Sequence, residues 1–214
     1  MAAPKIKICG VTTRDALEAA IAARADYVGF NFHPPSPRCL APDDAAKLAA
    51  LAGNSITKVG VFVNPADKAI REGVEAGKLD MIQLHGSETP ERAAEVQARF
   101  GLPVWKALPV AAACDVGFAE AYRGAAELIL FDAKTPHGEL PGGMGLAFDW
   151  SLLAGYRGAM PWGLAGGLTP DNVAEALAIT HAPLVDTASG VESAPGVKDI
   201  DKIAAFCAAA RGSQ

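Results

Sequence analysis

Several short apolar runs in this sequence end in side chains that can do chemistry. The run KIKIC ends at the thiol of Cys9, DMIQLH contains Gln83 and ends at His85, and ELILFD ends at Asp132. A free cysteine most often packs as a small apolar residue, but as an accessible thiolate it is a reactive group. What these side chains can do together depends on whether the fold brings them to one place.

Two glycine-rich segments near the C-terminus, GLAGGLTP and DTASGVES, favour phosphate binding. The first contains Gly166 and Gly167, and the second contains Ser189 and Gly190. Glycines let the backbone approach an anion closely and direct its N–H groups at it. Either segment alone is a weak signal, and the alternative is that these glycines end strands and bind nothing.

Eight short apolar runs recur along the chain, as the buried strands of a parallel sheet do. They are KIKIC, DYVGFNF, TKVGVFV, DMIQLH, PVWKAL, ELILFD, MPWGLAGG and PLVDTASG. Between most of them lies an alanine-rich, charged stretch with helical spacing. Glycines are predicted to end two of these helices, at Gly53 and Gly101, and Thr–Pro pairs to start two, in SETPERAAEVQARFG and LTPDNVAEALAI.

This alternation predicts a (β/α)8 TIM barrel of parallel strands, forming a single domain over residues 1–214. The alternative is a doubly wound open sheet, whose first turn often carries G-x-G-x-x-G, whereas the turn here is GVTT. Active sites of such barrels lie at the carboxyl ends of the strands. The predicted strand ends carry Cys9, Asn31, Asn64, Gln83 with His85, Ala107, Asp132, Gly166 with Gly167, and Ser189 with Gly190.

Composition excludes several classes of protein. The formal net charge of −5 argues against nucleic acid as a partner, because nucleic-acid binding needs clustered Lys and Arg. No stretch approaches 18 apolar residues, so we expect no membrane span, and the first residues do not resemble a signal peptide. The four cysteines are scattered without a CxxC pair, which argues against structural zinc and favours a reducing cytoplasm.

Seven segments, taken together, resemble the phosphoribosylanthranilate isomerases of tryptophan biosynthesis. They are KICGVT, VGFNFHPPSPR, KVGVFVN, QLHGSE, LFDAKTPHG, GLAGGLTPDNV and DTASGVE, and they run in order from Lys7 to beyond Glu192. The resemblance implies a (β/α)8 barrel and a cytoplasmic monomer or homodimer that needs no metal and no cofactor. The implied substrate is a small phosphosugar, N-(5-phosphoribosyl)anthranilate. An Amadori rearrangement converts it to 1-(2-carboxyphenylamino)-1-deoxyribulose 5-phosphate.

The resemblance also implies that Cys9 is the general base and Asp132 the general acid. Lys7 precedes Cys9 by two residues, so both point to the same side of a strand, and we expect Lys7 to favour the thiolate. An ordinary aspartic acid is protonated about once in a thousand molecules at pH 7. Lys106, predicted to end the previous strand, and Lys134 would both work against an acid role.

Five other residues receive roles from their positions and from the resemblance. Arg38, in HPPSPR, is expected to keep its guanidinium free and to grip the aromatic carboxylate of the substrate; the alternative is a surface arginine. Gln83, His85 and also Lys7 are predicted to bind substrate, although His85 could equally hydrogen-bond a neighbouring loop. Asp186 is expected to hold a sugar hydroxyl or a loop. Ala188 stands where the family pattern has serine, with little expected effect.

Loops supply two further expectations. The glycine-rich segment AKTPHGELPGGMG, which contains His137, is expected to close over the substrate. His33 and His181 are expected to be loop or surface residues.

Two other phosphosugar barrels and one binding protein are the alternatives. Ribulose-phosphate epimerase uses a metal held by His and Asp at strand ends, where only His85 is suitably placed here. The histidine-pathway isomerase carries aspartate at the position of Cys9. A non-catalytic sensor could keep both phosphate loops and lose the acid and base, yet Cys9 and Asp132 are both present.

Overall fold

A computed structural model describes residues 3–133 and 149–212 of the chain. Eight parallel strands follow one another around a closed barrel in sequence order, and the first pairs with both the second and the eighth. The strands are β1 Lys5–Cys9, β2 Tyr27–Asn31, β3 Thr57–Phe62, β4 Met81–Leu84, β5 Val104–Val110, β6 Leu128–Ala133, β7 Trp162–Leu164 and β8 Leu184–Thr187. The predicted barrel of parallel strands is confirmed.

Helices surround the barrel between consecutive strands. Within the described ranges they are α1 Arg14–Ala22, α2 Pro42–Ala52, α3 Asp67–Gly77, α4 Pro90–Phe100, α5 Ala113–Val116, α6 Val173–Thr180 and α7 Ile200–Gly212. Short 3-10 helices cover Gly117–Tyr122, Trp150–Leu153 and Ser189–Val191, and a small hairpin joins β9 Glu192–Ala194 to β10 Val197–Lys198. Of the helices described, none has the length and apolar character needed to cross a membrane.

The predicted helix limits are confirmed at α4 and wrong at α6. At the start of α4 the Thr89 hydroxyl accepts a hydrogen bond from the amide three residues later, and the helix ends at Gly101, whose φ is 66°. The same Thr–Pro pair at Thr169 does not start α6, which begins only at Val173. The reason is local, because Asn172 Oδ1 accepts the Thr169 amide at 2.8 Å and holds this segment in a turn.

Strand β5 is longer than its sequence predicts. Pairing with β6 continues as far as Val110, so Ala107 lies within the strand and not at its end. Side chains alternate along a strand, and Ala107 faces the barrel interior with Trp105. Lys106 therefore faces outward, towards the helices, and the expectation that it acts on Asp132 is wrong.

Two apolar clusters fill the fold, and they separate the two faces of each strand. The larger lies between strands and helices. The smaller fills the barrel interior with Val59, Trp105, Ala107, Leu130, Ala165 and Leu184. In β1, Ile6 and Ile8 join the larger cluster, so the alternating Lys7 and Cys9 point inward. Polar groups therefore line the barrel beyond the apolar interior cluster.

Helix α7 depends on one large buried side chain, Phe206, which is fully inaccessible to solvent. We expect Phe206→Ala to lower the free energy of unfolding by about 3–5 kcal/mol, measured by urea denaturation. Phe118 is 62% exposed, so Phe118→Ala should change it by less than about 0.5 kcal/mol. Equal losses in the two variants would contradict the packing of α7.

Candidate active site

A cavity of about 430 Å³ opens at the carboxyl ends of the strands, a volume that suits a small ligand. Most of the predicted site residues lie in its wall. They are Cys9, Arg38, His85, Asp132, Gly166, Gly167, Asp186, Ser189 and Gly190. The parallel strands thus bring together side chains that are far apart in the sequence.

Lys7 and Gln83 lie beneath the cavity and not in its wall. The sequence predicts that both bind substrate, but both side chains are fully buried, so neither lines the cavity directly. Each reaches the cavity through a neighbour. Lys7 Nζ donates to Asp186 Oδ2 at 2.9 Å, and Gln83 Nε2 lies 2.8 Å from His85 Nδ1.

The thiol of Cys9 is only 9% exposed. Burial raises the pKa of Cys9, the nearby Lys7 ammonium and Lys198 lower it, and Asp186 raises it again, so the net pKa lies above the ordinary value. The expected influence of Lys7 is present but does not prevail. Space for the thiol comes from β2, where a Cβ on Gly29 would lie 2.8 Å from the sulfur.

The Lys7–Asp186 ion pair forms the floor of the site. Burial disfavours the Lys7 ammonium, but Asp186 and Cys9 outweigh this effect and leave the pKa of Lys7 raised. Asp186 Oδ1 is buried and has no hydrogen-bond partner among the described residues. Asp186 therefore offers an acceptor for a hydroxyl group entering the cavity.

His85 joins strands β4 and β6. Its Nε2 lies 3.0 Å from Asp132 Oδ2, while Asp132 Oδ1 accepts the Ala133 amide at 2.8 Å. His85 is expected either to bind substrate or to contact a neighbouring loop. The structure favours neither role directly, because the partners of His85 are the side chains of Gln83 and Asp132.

Lys106, one of the two lysines expected near Asp132, contacts other groups. Lys106 Nζ lies 3.2 Å from Glu88 Oε2 and donates to the carbonyls of Leu84, Gly86 and Ala107. Lys134 and His137 lie outside the described residues, as does most of the segment expected to close over the site.

Arg38 is held by an acidic partner, so the expectation of a free guanidinium is wrong. Its Nε lies 2.7 Å from Glu192 Oε1 and its second terminal nitrogen lies 2.8 Å from Oε2, a bidentate pair. Burial alone would raise the pKa of Glu192, but Arg38 and Lys198 lower it overall. The arginine passes over Gly10, where a Cβ would lie 2.5 Å from Arg38 Cδ.

The two predicted phosphate loops pack directly on each other. Gly166 and Gly167 have φ values of 85° and 65°, a region that glycine adopts without strain. A Cβ on Gly190 would lie 1.9 Å from the Leu168 carbonyl oxygen, and Thr187 Oγ1 donates to that oxygen at 2.7 Å. Glycine is therefore required at 190 for the loops to meet.

Among the described ionisable residues of the cavity wall, two received no site role from the sequence. Glu192 follows the second predicted phosphate loop, and its charge next to the segment SGV is the only feature of the sequence that points to a site role. His33, expected to be a loop or surface residue, lies in the loop after β2 and in the cavity wall; burial and His85 lower its pKa.

Comparison with known proteins decides the family. A family model described as N-(5'-phosphoribosyl)anthranilate (PRA) isomerase matches residues 6–209. The chain belongs to this family. It is accordingly an aldose–ketose isomerase of tryptophan biosynthesis.

Individual relatives agree over almost the full length. The N-(5'-phosphoribosyl)anthranilate isomerase of Paramagnetospirillum magneticum is 53% identical over 211 residues, which cover 98% of each chain. The crystal structure of the enzyme from Thermotoga maritima is 37% identical with a TM-score of 0.87, covering 98% of this chain and 99% of that one. A family crystal structure in complex with reduced 1-(o-carboxyphenylamino)-1-deoxyribulose 5-phosphate is 35% identical with a TM-score of 0.85, over 98% and 99%.

The raised pKa of Cys9 predicts slow alkylation in the ligand-free protein. At pH 7.5 we expect iodoacetamide to modify Cys9 more slowly than the exposed Cys114, as followed by mass spectrometry of peptides. Because a thiolate is the nucleophile, the Cys9 rate should still be rising at pH 9. A plateau below pH 9 would contradict the raised pKa.

Proposed function

We propose that the chain rearranges N-(5-phosphoribosyl)anthranilate to 1-(2-carboxyphenylamino)-1-deoxyribulose 5-phosphate, with Cys9 as general base and Asp132 as general acid. The observation that carries this assignment is that a thiol on β1 and a carboxyl on β6 line one cavity. A relative with a bound reduced form of this product supports the choice of substrate.

Substrate binding is assigned to three parts of the wall. The phosphate lies against the two glycine-rich loops, with Gly166, Gly167, Ser189 and Gly190 supplying close backbone approach and N–H groups. Arg38 binds the anthranilate carboxylate from the loop after β2. This orientation leaves the sugar between Cys9 and Asp132, where it is held by the remaining groups of the wall.

Ring opening is the first chemical step. The lone pair of the anthranilate nitrogen forms a C1=N bond while the C1–O bond breaks, and its electron pair goes to the ring oxygen. Asp132 gives its proton to that oxygen, so the product of this step is an open-chain iminium cation. Positioned proton transfer of this kind contributes typically 10²–10⁴-fold to a rate.

Loss of the C2 proton is the second step, and Cys9 is its acceptor. The C2–H electron pair forms the C1=C2 bond, and the C=N pair returns to nitrogen, which neutralises the cation. The ketone forms when C1 takes the proton held by Cys9 and the C2 hydroxyl gives its proton to Asp132. These two transfers return the acid and the base to their starting states.

Substrate charge explains how a buried thiol can act as base. Burial disfavours the Cys9 thiolate, but an opposite charge within about 4–6 Å favours it. The iminium cation supplies that charge at the step that needs it, in addition to the Lys7 ammonium. Cys9 is thereby activated by the intermediate itself.

Domain organisation, cellular location and oligomeric state are also proposed. One domain over residues 1–214 is supported by a single closed barrel and by a family match across 6–209. A cytoplasmic location is supported by four cysteines that are all free. The chain is a monomer or a homodimer; a Thermotoga maritima relative is described as dimeric, with monomers generated from it.

Substitution of the acid and base tests the assignment. Phosphoribosylanthranilate would be generated in place from anthranilate, and its fluorescence followed in EDTA. We expect Cys9→Ala to retain less than about a tenth of wild-type kcat, because it removes the proton acceptor. Asp132→Asn should lower kcat similarly and change its pH profile.

Cys114→Ala, at an exposed thiol, is the matched control and should keep wild-type kcat. A Cys9→Ala variant with more than a tenth of wild-type turnover would rule out the base role. An Asp132→Asn variant with the wild-type pH profile would rule out the acid role.

The Arg38–Glu192 pair predicts a binding defect. Arg38→Lys keeps the charge but loses the bidentate fork, so KM should rise more than kcat falls. Glu192→Gln should raise KM in the same direction and less strongly, because it weakens the contact that orients Arg38. Glu175→Gln, at an exposed position on α6, should leave KM unchanged, and a fall mainly in kcat for Arg38→Lys would contradict a binding role.

A further inference from the structure

A line of two polar side chains, Gln83 and His85, leads to Asp132 from below the cavity. Gln83 Nε2 lies 2.8 Å from His85 Nδ1, and His85 Nε2 lies 3.0 Å from Asp132 Oδ2. Gln83 is fully buried, and its Oε1 has no hydrogen-bond partner in the described parts of the chain. Buried polar atoms are rarely left unpaired, so this oxygen calls for an explanation.

The observed amide orientation selects one form of His85. A glutamine amide nitrogen only donates, so Nδ1 accepts and the ring proton of a neutral His85 lies on Nε2. His85 then donates to Asp132. This arrangement suits an ionised carboxylate, which is the state of Asp132 after it has given up its proton.

Rotation of the Gln83 amide by 180° suits the opposite state. Oε1 then lies beside Nδ1 and accepts a proton from it, which is the arrangement that an imidazolium needs, because both of its nitrogens donate. Oε1, which is unpaired in the observed orientation, would thereby gain a partner. In this form His85 Nε2 and Asp132 Oδ2 share one additional proton across their 3.0 Å contact.

We propose that Gln83 is a positioning residue whose amide holds His85 in either protonation state, so that the His85–Asp132 pair stores the proton given to the ring oxygen. The form with Oε1 towards Nδ1 is the loaded, active one, and the observed form is the unloaded one. The inference rests on the proposed acid role of Asp132. It accounts for an acid function at a carboxyl group that an ordinary environment would leave ionised.

Other elements also carry titratable groups towards His85. They are Asp132 on β6, the electrostatically coupled Asp186 on β8 and His33 in the loop after β2. Gln83 differs from these groups because it contacts Nδ1, so its substitution acts on the stored proton without touching the cavity wall.

The test observes the ring directly, by 15N NMR of protein labelled in histidine, with the His85 signals identified by their absence in His85→Asn. In wild type, neutral His85 should carry its proton on Nε2. In Gln83→Glu a carboxylate accepts from Nδ1, so the imidazolium should persist to higher pH by about one unit or more. In Gln83→Leu the acceptor is lost, so the imidazolium should disappear at lower pH.

The high-pH limb of kcat should move with the ring in both variants. Gln97→Glu, the same change on α4, is the control and should move neither. At high pH, where the additional proton is absent, neutral wild-type His85 with its proton on Nδ1 would overturn the proposal, and this observation is made on the wild-type protein once His85→Asn has identified the signals. An unchanged NMR midpoint in both Gln83 variants, or a shifted midpoint that the kcat limb does not follow, would also overturn it.

Failure of the proposed acid role gives a different pattern. Asp132→Asn would then keep the wild-type pH profile of kcat, whereas the NMR midpoint of His85 would still shift in the Gln83 variants. The two ideas are therefore separable.

Discussion

The ion pair between Lys7 and Asp186 is the interaction on which the site depends. The two residues are 179 apart in sequence, yet they are direct neighbours in the register that joins β1 to β8 and closes the barrel. Both are buried, and removing one partner of a buried pair typically costs about 3–5 kcal/mol. A shifted register would separate these charges. The same ion pair therefore constrains both the closure of the barrel and the floor of the site.

Several properties of the site follow from this pair. Strand alternation carries Cys9 to the wall directly above Lys7, so the thiol is placed near a cation by the same contact that closes the barrel. Lys7 is nevertheless shared with Asp186, and burial prevails at Cys9. Under the proposed mechanism, Cys9 is therefore a base that becomes effective only when the substrate is cationic. Its activation would then be tied to ring opening, which would limit proton abstraction to the correct intermediate.

The sequence predicts the barrel and much of its mouth, because strand patterns are local and parallel strands end at one edge. Cys9 and Asp132 could be placed together on that basis alone. The partner of Arg38 could not, since Glu192 lies 154 residues away and many carboxylates could serve. The outward orientation of Lys106 could not be predicted, because the run PVWKAL does not show which of its alternating side chains face the barrel interior. At Thr169 one hydrogen bond, donated by the backbone amide to the nearby Asn172 side chain, overrides a start signal that works at Thr89.

The proposed acid–base pair poses an electrostatic problem, because the thiol would have to lose a proton under the conditions in which the carboxyl keeps one. The fold is compatible with both demands because it separates charges around the barrel. Lys7 and Lys198 act on Cys9 at the β1–β8 side, whereas Asp132 on β6 contacts His85. Lys106 is on the strand next to Asp132, but it faces outward and binds Glu88. An inward lysine there would favour an ionised carboxylate, so the alternation of β5 suits the proposed acid as that of β1 suits the proposed base.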